Sequence, residues 1–348
     1  MEAIIRSWFA VAALLLSCGL YAESQSAVSV LETDLHEVLS QLKTDADFTL
    51  LVESEDGRRF VHSQGNSSAE TVYRSASSSK MVTSAVVLAL VDDGIMALND
   101  HPQKYLDFWP KDGAAAEIQL RHLLSFTSGL NKQPLCINNP LTGFESCVKR
   151  ILRKNRALSA PGSEYYYTGT HLQVAGLMAV RALGAEDWQA VFNRFQQRTG
   201  LFKTAEYDLP SERNPRLAGG MHWKATEYLE FLSALYHGKL LSAALLTAMT
   251  HDQLQGAPIV YSPVASSPLA LDWHYGYGLW IECSSVPFNC KTRSRVSSPG
   301  AYGAYPFIDF EHRYFGIVAR EGSLRTGHEG YRAWKAVAGE LARWASKR

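Results

Sequence analysis

Ser77 and Lys80, in Tyr73-Arg-Ser-Ala-Ser77-Ser-Ser-Lys80-Met-Val, place a hydroxyl and an amine three residues apart at the start of an apolar run. Residues so spaced share one face of a helix. A free serine hydroxyl is a weak nucleophile at neutral pH. It becomes a strong one when a neighbour removes its proton, a task within reach of a lysine kept from water. Ser40-Gln-Leu-Lys43 and Ser146-Cys-Val-Lys149 repeat the Ser-x-x-Lys spacing, so the surroundings must separate the three. Ser40 and Lys43 border Val28 to Leu42, whose apolar residues recur at helical spacing and leave the pair on the wet side. Ser146 and Lys149 run into the basic patch Lys149, Arg150, Arg153 and Lys154, an exposed helix surface. Ser77 instead precedes Met81, Val82 and Ala85 to Val91, apolar on nearly every side, as in a helix buried in a core. An ammonium carried into such a core is costly unless it is paired or neutralised, so Lys80 implies a task.

The elements that must position this pair fall into three blocks. Phe48 to Glu53 and Arg59 to His62, joined through Asp56-Gly57, predict a hairpin. From Ser77 to about Lys239 helical periodicity dominates: Ser77 to Val91, Ile118 to Leu124, Cys147 to Leu158, His171 to Leu183, Glu186 to Arg198 and Ala225 to Leu235. Strand patterns return at Tyr277 to Glu282, Gly303 to Phe310 and Arg313 to Arg320, before a closing helix from about Glu329 to Ala345. Strands at both ends around a helical middle predict a mixed α/β fold. Its sheet subdomain is built from about residues 28–75 and 255–348, with a helical subdomain at about 76–254 inserted between them.

The chain has 348 residues, 46% hydrophobic and 20% charged, enough for a large core. Lys plus Arg and Asp plus Glu both number 34, which gives no electrostatic case for nucleic acid or an anionic membrane. Residues 1–22 combine a short N-terminal segment with an apolar run from Trp8 to Leu16 and read as a secretory signal. Cleavage after Ala22 is favoured and makes a soluble periplasmic or secreted protein. The alternative is cleavage before Cys18, with that cysteine as a lipid anchor. The apolar run is too short to span a bilayer, which predicts no transmembrane domain. Export permits disulfides, and Cys136, Cys147, Cys283 and Cys290 form two sequence-local pairs, the simplest of three connectivities. No Cys-x-x-Cys or His-Glu-x-x-His occurs, so metal chemistry is disfavoured and no cofactor is expected.

Over about residues 45 to 345 the chain resembles the serine β-lactamase and penicillin-binding-protein superfamily, nearest the class C β-lactamase-like branch that includes family VIII esterases. Beyond Ser77 and Lys80 the likeness rests on Gly94-Ile-Met-Ala-Leu-Asn-Asp-His-Pro102, His122-Leu-Leu-Ser-Phe-Thr-Ser-Gly-Leu130, Pro161-Gly-Ser-Glu-Tyr-Tyr-Tyr167 and Gly219-Gly-Met221, in the family's order. The resemblance implies a β-lactamase/transpeptidase-like fold, an antiparallel sheet flanked by terminal helices. It also implies that Tyr167 heads the family's Tyr-x-Asn element, as a phenol that an adjacent ammonium makes easier to deprotonate. Here that element reads Tyr167-Thr168-Gly169, so the side-chain amide is missing. The family's Lys-Thr-Gly or His-x-Gly element aligns with Ala301-Tyr302-Gly303, which lacks the cation or imidazole. His328-Glu329-Gly330 mimics that element but has no strand pair after it. Backbone N–H groups of Ser77 and Ala304 would form the oxyanion hole, with Tyr302 and Gly303 at the substrate and Gly303 allowing its close approach.

These readings predict a serine hydrolase acting on a small-molecule ester or amide, esterase-like because both elements tied to β-lactam recognition have changed. β-Lactamase or D-peptidase activity is the alternative within the class. A penicillin-binding-like protein that binds without turnover is the alternative outside it. Tyr165, Tyr166, Trp273, Tyr277, Trp280, Tyr302 and Tyr305 are candidates to line an aromatic cleft or to pack in the core.

Overall fold

The computed structural model of the protein describes residues 27–155, 159–290, 294–324 and 326–347. The expected signal segment and Cys18 lie outside the described residues, as does the end of the helix expected to reach Leu158. In chain order the strands are β1 (Phe48–Ser54), β2 (Arg59–Ser63), β3 (Val72–Arg74), β4 (Tyr165–Tyr166), β5 (Glu206–Tyr207), β6 (Met221–Lys224), β7 (Ile259–Tyr261), β8 (His274–Tyr275), β9 (Trp280–Glu282), β10 (Arg295–Ser297), β11 (Tyr305–Asp309) and β12 (Tyr314–Arg320).

Seven of them form one antiparallel sheet in the order β2-β1-β12-β11-β10-β9-β8. The N-terminal hairpin joins the C-terminal strands through β1 and β12, from Phe48 opposite Arg320 to Ser54 opposite Tyr314. Every residue of β1 and β12 is buried, whereas edge strand β2 alternates buried and exposed. That is the burial expected when elements cover both faces of a central strand. The C-terminal helix Glu329–Ser346 packs on β12, and the indole N–H of Trp344 reaches Glu32 Oε1 of the helix at residues 27–40, at 2.9 Å. Helix Ala225–Tyr236, expected with the helical middle, packs against β1, β11 and β12 instead. Its buried stripe of Tyr228, Leu229, Phe231, Leu232 and Leu235 needs an apolar partner, and the sheet supplies one.

Leu120–Leu124, Phe144–Lys154 and Trp188–Thr199 pack on Thr170–Leu183, and Ser79–Asp92 packs on both Thr170–Leu183 and Trp188–Thr199 and is buried from Ser79 to Leu90. The all-round apolar sequence of this helix is thus explained by contact on every side. A three-stranded sheet, β3-β6-β5, ties its entry to the Gly219-Gly220 segment, and the Ser75 N–H donates to Met221 O at 2.8 Å. Both expected disulfides form, Cys136–Cys147 and Cys283–Cys290, with Cα separations of 5.5 and 5.7 Å. The first fastens residues 135–138, at the rim of the cleft described below, to helix Phe144–Lys154. Among the described residues no helix is long and apolar enough to cross a membrane.

Candidate active site

Ala76 has a φ of 44°, in the left-handed region that a residue with a Cβ enters at a cost. This turn, followed by a single 3-10 turn at Ala76–Ser78, lifts Ser77 to the surface of a cleft while Ser75, Ala76, Ser78, Ser79 and Lys80 stay buried. Two contacts hold the turn: Ser298 Oγ donates to Ser77 O at 3.1 Å, and Tyr228 Oη donates to Ser78 O at 2.8 Å. Gly278 fixes the helix behind it. A Cβ there would lie 2.0 Å from Ser84 Oγ and 2.6 Å from Lys80 O, and its φ of 75° also favours glycine. This close approach is why the strand expected over Tyr277 to Glu282 is confined to β9, with β8 on the far side of a turn.

Lys80 Nζ lies 2.8 Å from Ser77 Oγ and 2.8 Å from the carbonyl oxygen of Ala218. Among the described residues no carboxylate forms an ion pair with it, and the residue is only 4% exposed. Burial, reinforced by the Arg216 guanidinium, pushes its pKa well below the ordinary lysine value. The amine is therefore poised to lose its charge rather than to keep it.

Tyr167 completes the group. Its phenol faces the Ser77 hydroxyl, its ring stacks on Trp280 at 5.2 Å, and Lys80 Nζ sits 4.6 Å from the ring centroid. Burial raises the phenol's pKa, opposed only in part by the nearby Ser77 hydroxyl. The expected acidification by a neighbouring ammonium thus gives way to desolvation, which favours the neutral form of both groups. Of the other two adjacent tyrosines, Tyr165 is buried against Tyr275, and Tyr166 pairs with Tyr261 at the cleft rim. Buried His171 holds this segment through Ser128 Oγ at 2.8 Å and Tyr166 O at 3.0 Å. Burial keeps its pKa down at about 3, so Nε2–H donates to the Tyr166 carbonyl and Nδ1 accepts from Ser128. His122 caps helix Leu120–Leu124 through the Gln119 N–H, and burial with Arg121 nearby lowers its pKa to about 4.

The cleft has a volume of about 810 Å³ and includes Ser77, Lys80, Tyr167, Ala301 and Tyr302 in its lining. Tyr166, Trp273 and Trp280 line it too, while Tyr165, Tyr277 and Tyr305 belong to the core. Gly303 has a reason of its own to be glycine: its φ is 94°, and a Cβ would lie 2.1 Å from buried Arg320 Nη1. Packing against Arg320 therefore demands a glycine here whether or not a substrate also approaches. Ala304 is buried one residue before β11, its carbonyl accepting the Gly300 N–H at 2.7 Å. Gly330 lies in the first turn of the C-terminal helix, so His328-Glu329-Gly330 is not a strand motif, although His328 does line the cleft.

Two cleft residues had no motif to announce them. Gln133 Oε1 accepts from the Gly169 N–H and from Thr168 Oγ1, both at 3.0 Å. A Cβ on Gly169 would come within 3.2 Å of that oxygen, so Gln133 brings a side-chain amide to the place where Tyr167-Thr168-Gly169 has none. Arg216, three residues before Gly219, is the second. Both arrive from loops, where no periodicity marks a side chain as inward-facing.

A sheet joined from the two chain ends, a helical layer beside it, and a serine with a desolvated amine and a phenol at their junction define a hydrolase of the β-lactamase fold. The chain belongs to the beta-lactamase family, whose sequence model matches residues 50–338. Among solved structures it is similar to a putative beta-lactamase from Bacteroides dorei, at 24% identity and a TM-score of 0.71, over 92% of this chain and 98% of that one. EstCE1, described as a hydrolase with promiscuous acyltransferase activity, superposes with a TM-score of 0.70 at 19% identity, over 91% and 99% of the two chains. The D-amino acid amidase of Ochrobactrum anthropi SV3 does so with a TM-score of 0.69 at 16% identity, over 89% and 99%. At these identities the structural likeness concerns the fold.

Proposed function

We propose that the protein is an exported serine hydrolase that cleaves an ester or amide of a small molecule through a Ser77 acyl-enzyme, with esters preferred. The observation that carries this reading is the 2.8 Å approach of Lys80 Nζ to Ser77 Oγ in surroundings that favour the uncharged amine. In the first half of the cycle Lys80 takes the Ser77 proton as Oγ bonds to the substrate carbonyl carbon and the carbonyl electron pair moves to oxygen. Backbone N–H groups of Ser77 and Ala304 receive that oxyanion. The intermediate then collapses, the bond to the leaving group breaks, and the proton passes from Lys80 by way of the Tyr167 phenol to the departing oxygen or nitrogen. In the second half a water gives its proton to the same pair as it attacks the acyl carbon, and Ser77 Oγ leaves and is reprotonated.

Ala301 leaves the cleft without the cation or imidazole that the resemblance ties to β-lactam recognition, and the amide at Gly169 comes from Gln133 instead, which favours an ester over a β-lactam. Gln133 is available to orient a substrate carbonyl. The two disulfides support an oxidising compartment, in keeping with export to the periplasm or medium. Soluble export is the favoured form, with lipidation of Cys18 as its alternative. Hydrolysis of p-nitrophenyl acetate and butyrate should fall about 10³-fold or more in Ser77→Ala, and a chromogenic cephalosporin should be the poorer substrate of the wild type. Ester turnover undiminished in Ser77→Ala, or a preference for the cephalosporin, contradicts the proposal.

A further inference from the structure

The charges around the cleft do not balance. Arg216 lines it beside the desolvated Lys80 amine, His328 in the lining has Glu329 Oε1 3.2 Å from its Nε2, and among the described residues no Asp or Glu lines the cleft. The neighbouring Arg74 shows what a satisfied guanidinium looks like here: it lies outside the lining, 5.1 Å from the Tyr302 ring, and Glu321 accepts from its Nε at 2.6 Å and from its backbone N–H at 2.9 Å. Arg216 has neutral acceptors instead, Asn138 Oδ1 at 2.8 Å from Nη1 and Gly219 O at 3.0 Å from Nη2. A guanidinium carries five N–H donors in a rigid fork, and these two bonds leave part of the fork unused. Arg216 is also partly buried, which weakens its hydration without supplying a counter-ion. The guanidinium helps keep the buried Lys80 amine uncharged, and with no carboxylate among its hydrogen-bond partners it can accept negative charge brought by a ligand. Asn138, held behind the Cys136–Cys147 bridge, fixes the orientation of the fork.

We propose that Arg216 is the specificity-determining residue of the cleft and pairs with an anionic group, by geometry a carboxylate, carried by the substrate away from its scissile carbonyl. A carboxylate matches the planar fork by two parallel hydrogen bonds. The preferred substrate is then an ester that also carries a carboxylate, ahead of its neutral counterpart. The inference rests on the serine-hydrolase reading above and uses a residue outside every motif that led to it. The apolar part of the lining gives the rest of the substrate its character, since Val264, Leu269, Leu271, Trp273 and Leu324 belong to it.

The test compares matched esters. On the acyl side, 4-nitrophenyl hydrogen glutarate is set against 4-nitrophenyl pentanoate. On the leaving-group side, the butyrate ester of 4-hydroxybenzoate is set against that of methyl 4-hydroxybenzoate. The ratio of kcat/KM, anionic over neutral, is measured at one pH for wild type, Arg216→Lys and Arg216→Gln, so that any change in Lys80 cancels within each enzyme. At least one pair should lose about tenfold or more of its ratio in Arg216→Gln, with Arg216→Lys between, because lysine keeps the charge and loses the fork. The pair that responds assigns the carboxylate to one half of the substrate. Equal ratios in all three enzymes for both pairs overturn the proposal. Absence of any ester turnover in the wild type would instead defeat the hydrolase reading. The Arg216 proposal is then decided by equilibrium binding of 4-phenylbutyrate against 4-phenylbutyramide to the same proteins: preference for the acid, lost in Arg216→Gln, supports it, and no preference overturns it.

Discussion

Lys80→Met is expected to lower kcat/KM for ester hydrolysis about 10²- to 10⁴-fold, the range of a general base lost from a transition state. Methionine keeps much of the lysine's length and packs without a polar tip, so the change removes the amine 2.8 Å from Ser77 Oγ without opening a cavity. Since the amine is buried and no carboxylate among the described residues balances it, the melting temperature should hold or rise, which separates lost chemistry from lost fold. The pH profile carries the same information. Activity needs the uncharged amine, so the rate should rise with pH through the Lys80 pKa, which burial and Arg216 place below the ordinary lysine value of about 10.4. Removing the Arg216 charge takes away one lowering influence, and Arg216→Gln should therefore move this acid limb to higher pH. The limb is expected to vanish from any residual activity of Lys80→Met. A limb that stays in place in both variants would assign it to another group.

Arg295→Met is expected to cost about 3–5 kcal/mol of stability, read as a lower urea midpoint and melting temperature. Arg295 Nε donates to Glu282 Oε2 at 2.6 Å, and its Nη1 lies 3.4 Å from Asp309 Oδ2. The Glu282 side chain is only 1% exposed, while the Tyr305 hydroxyl donates to it at 2.7 Å and Ser297 bonds it as well. Cutting the arginine leaves that carboxylate buried without its cation, in strands β9, β10 and β11. The damage extends toward the site, because Ser298 follows β10 and holds the Ser77 carbonyl. Replacing both members, as Arg295→Met with Glu282→Leu, should recover part of the loss, since the Glu282 charge is then no longer stranded, while buried Asp309 loses the arginine and keeps the His312 N–H. A double variant as unstable as the single one would show that packing of the arginine stem on Trp334, 4.0 Å from the guanidinium carbon, matters more than charge.

The parts of the molecule legible in the sequence are those that local physics controls. The apolar sequence after Lys80 could only belong to a helix covered on all sides, and Ser79–Asp92 is such a helix. The β1–β2 hairpin and the β11–β12 pair follow their turns and alternation, and the cysteines bond to their nearest partners in sequence. What the sequence concealed depends on contacts across long separations. Gln133 gains its place from Gly169, and Arg216 from Asn138, neither through any period or motif. Helix Ala225–Tyr236 looked like part of the helical insertion because amphipathicity says that a face is buried, not against what. Gly303 was legible as a special position, but Arg320, the side chain that requires it, lies on a different strand. Tyr167 stood out by position, whereas the sense of its pKa depends on burial that only the packed cleft supplies.

The central claim, that Ser77 is the nucleophile, is tested most directly by intact mass after treatment with a fluorophosphonate. One adduct per chain, mapped by peptide sequencing to Ser77, is predicted for the wild type, with none in Ser77→Ala and a much slower one in Lys80→Met. An unmodified wild type, or an adduct that survives in Ser77→Ala, would contradict the account.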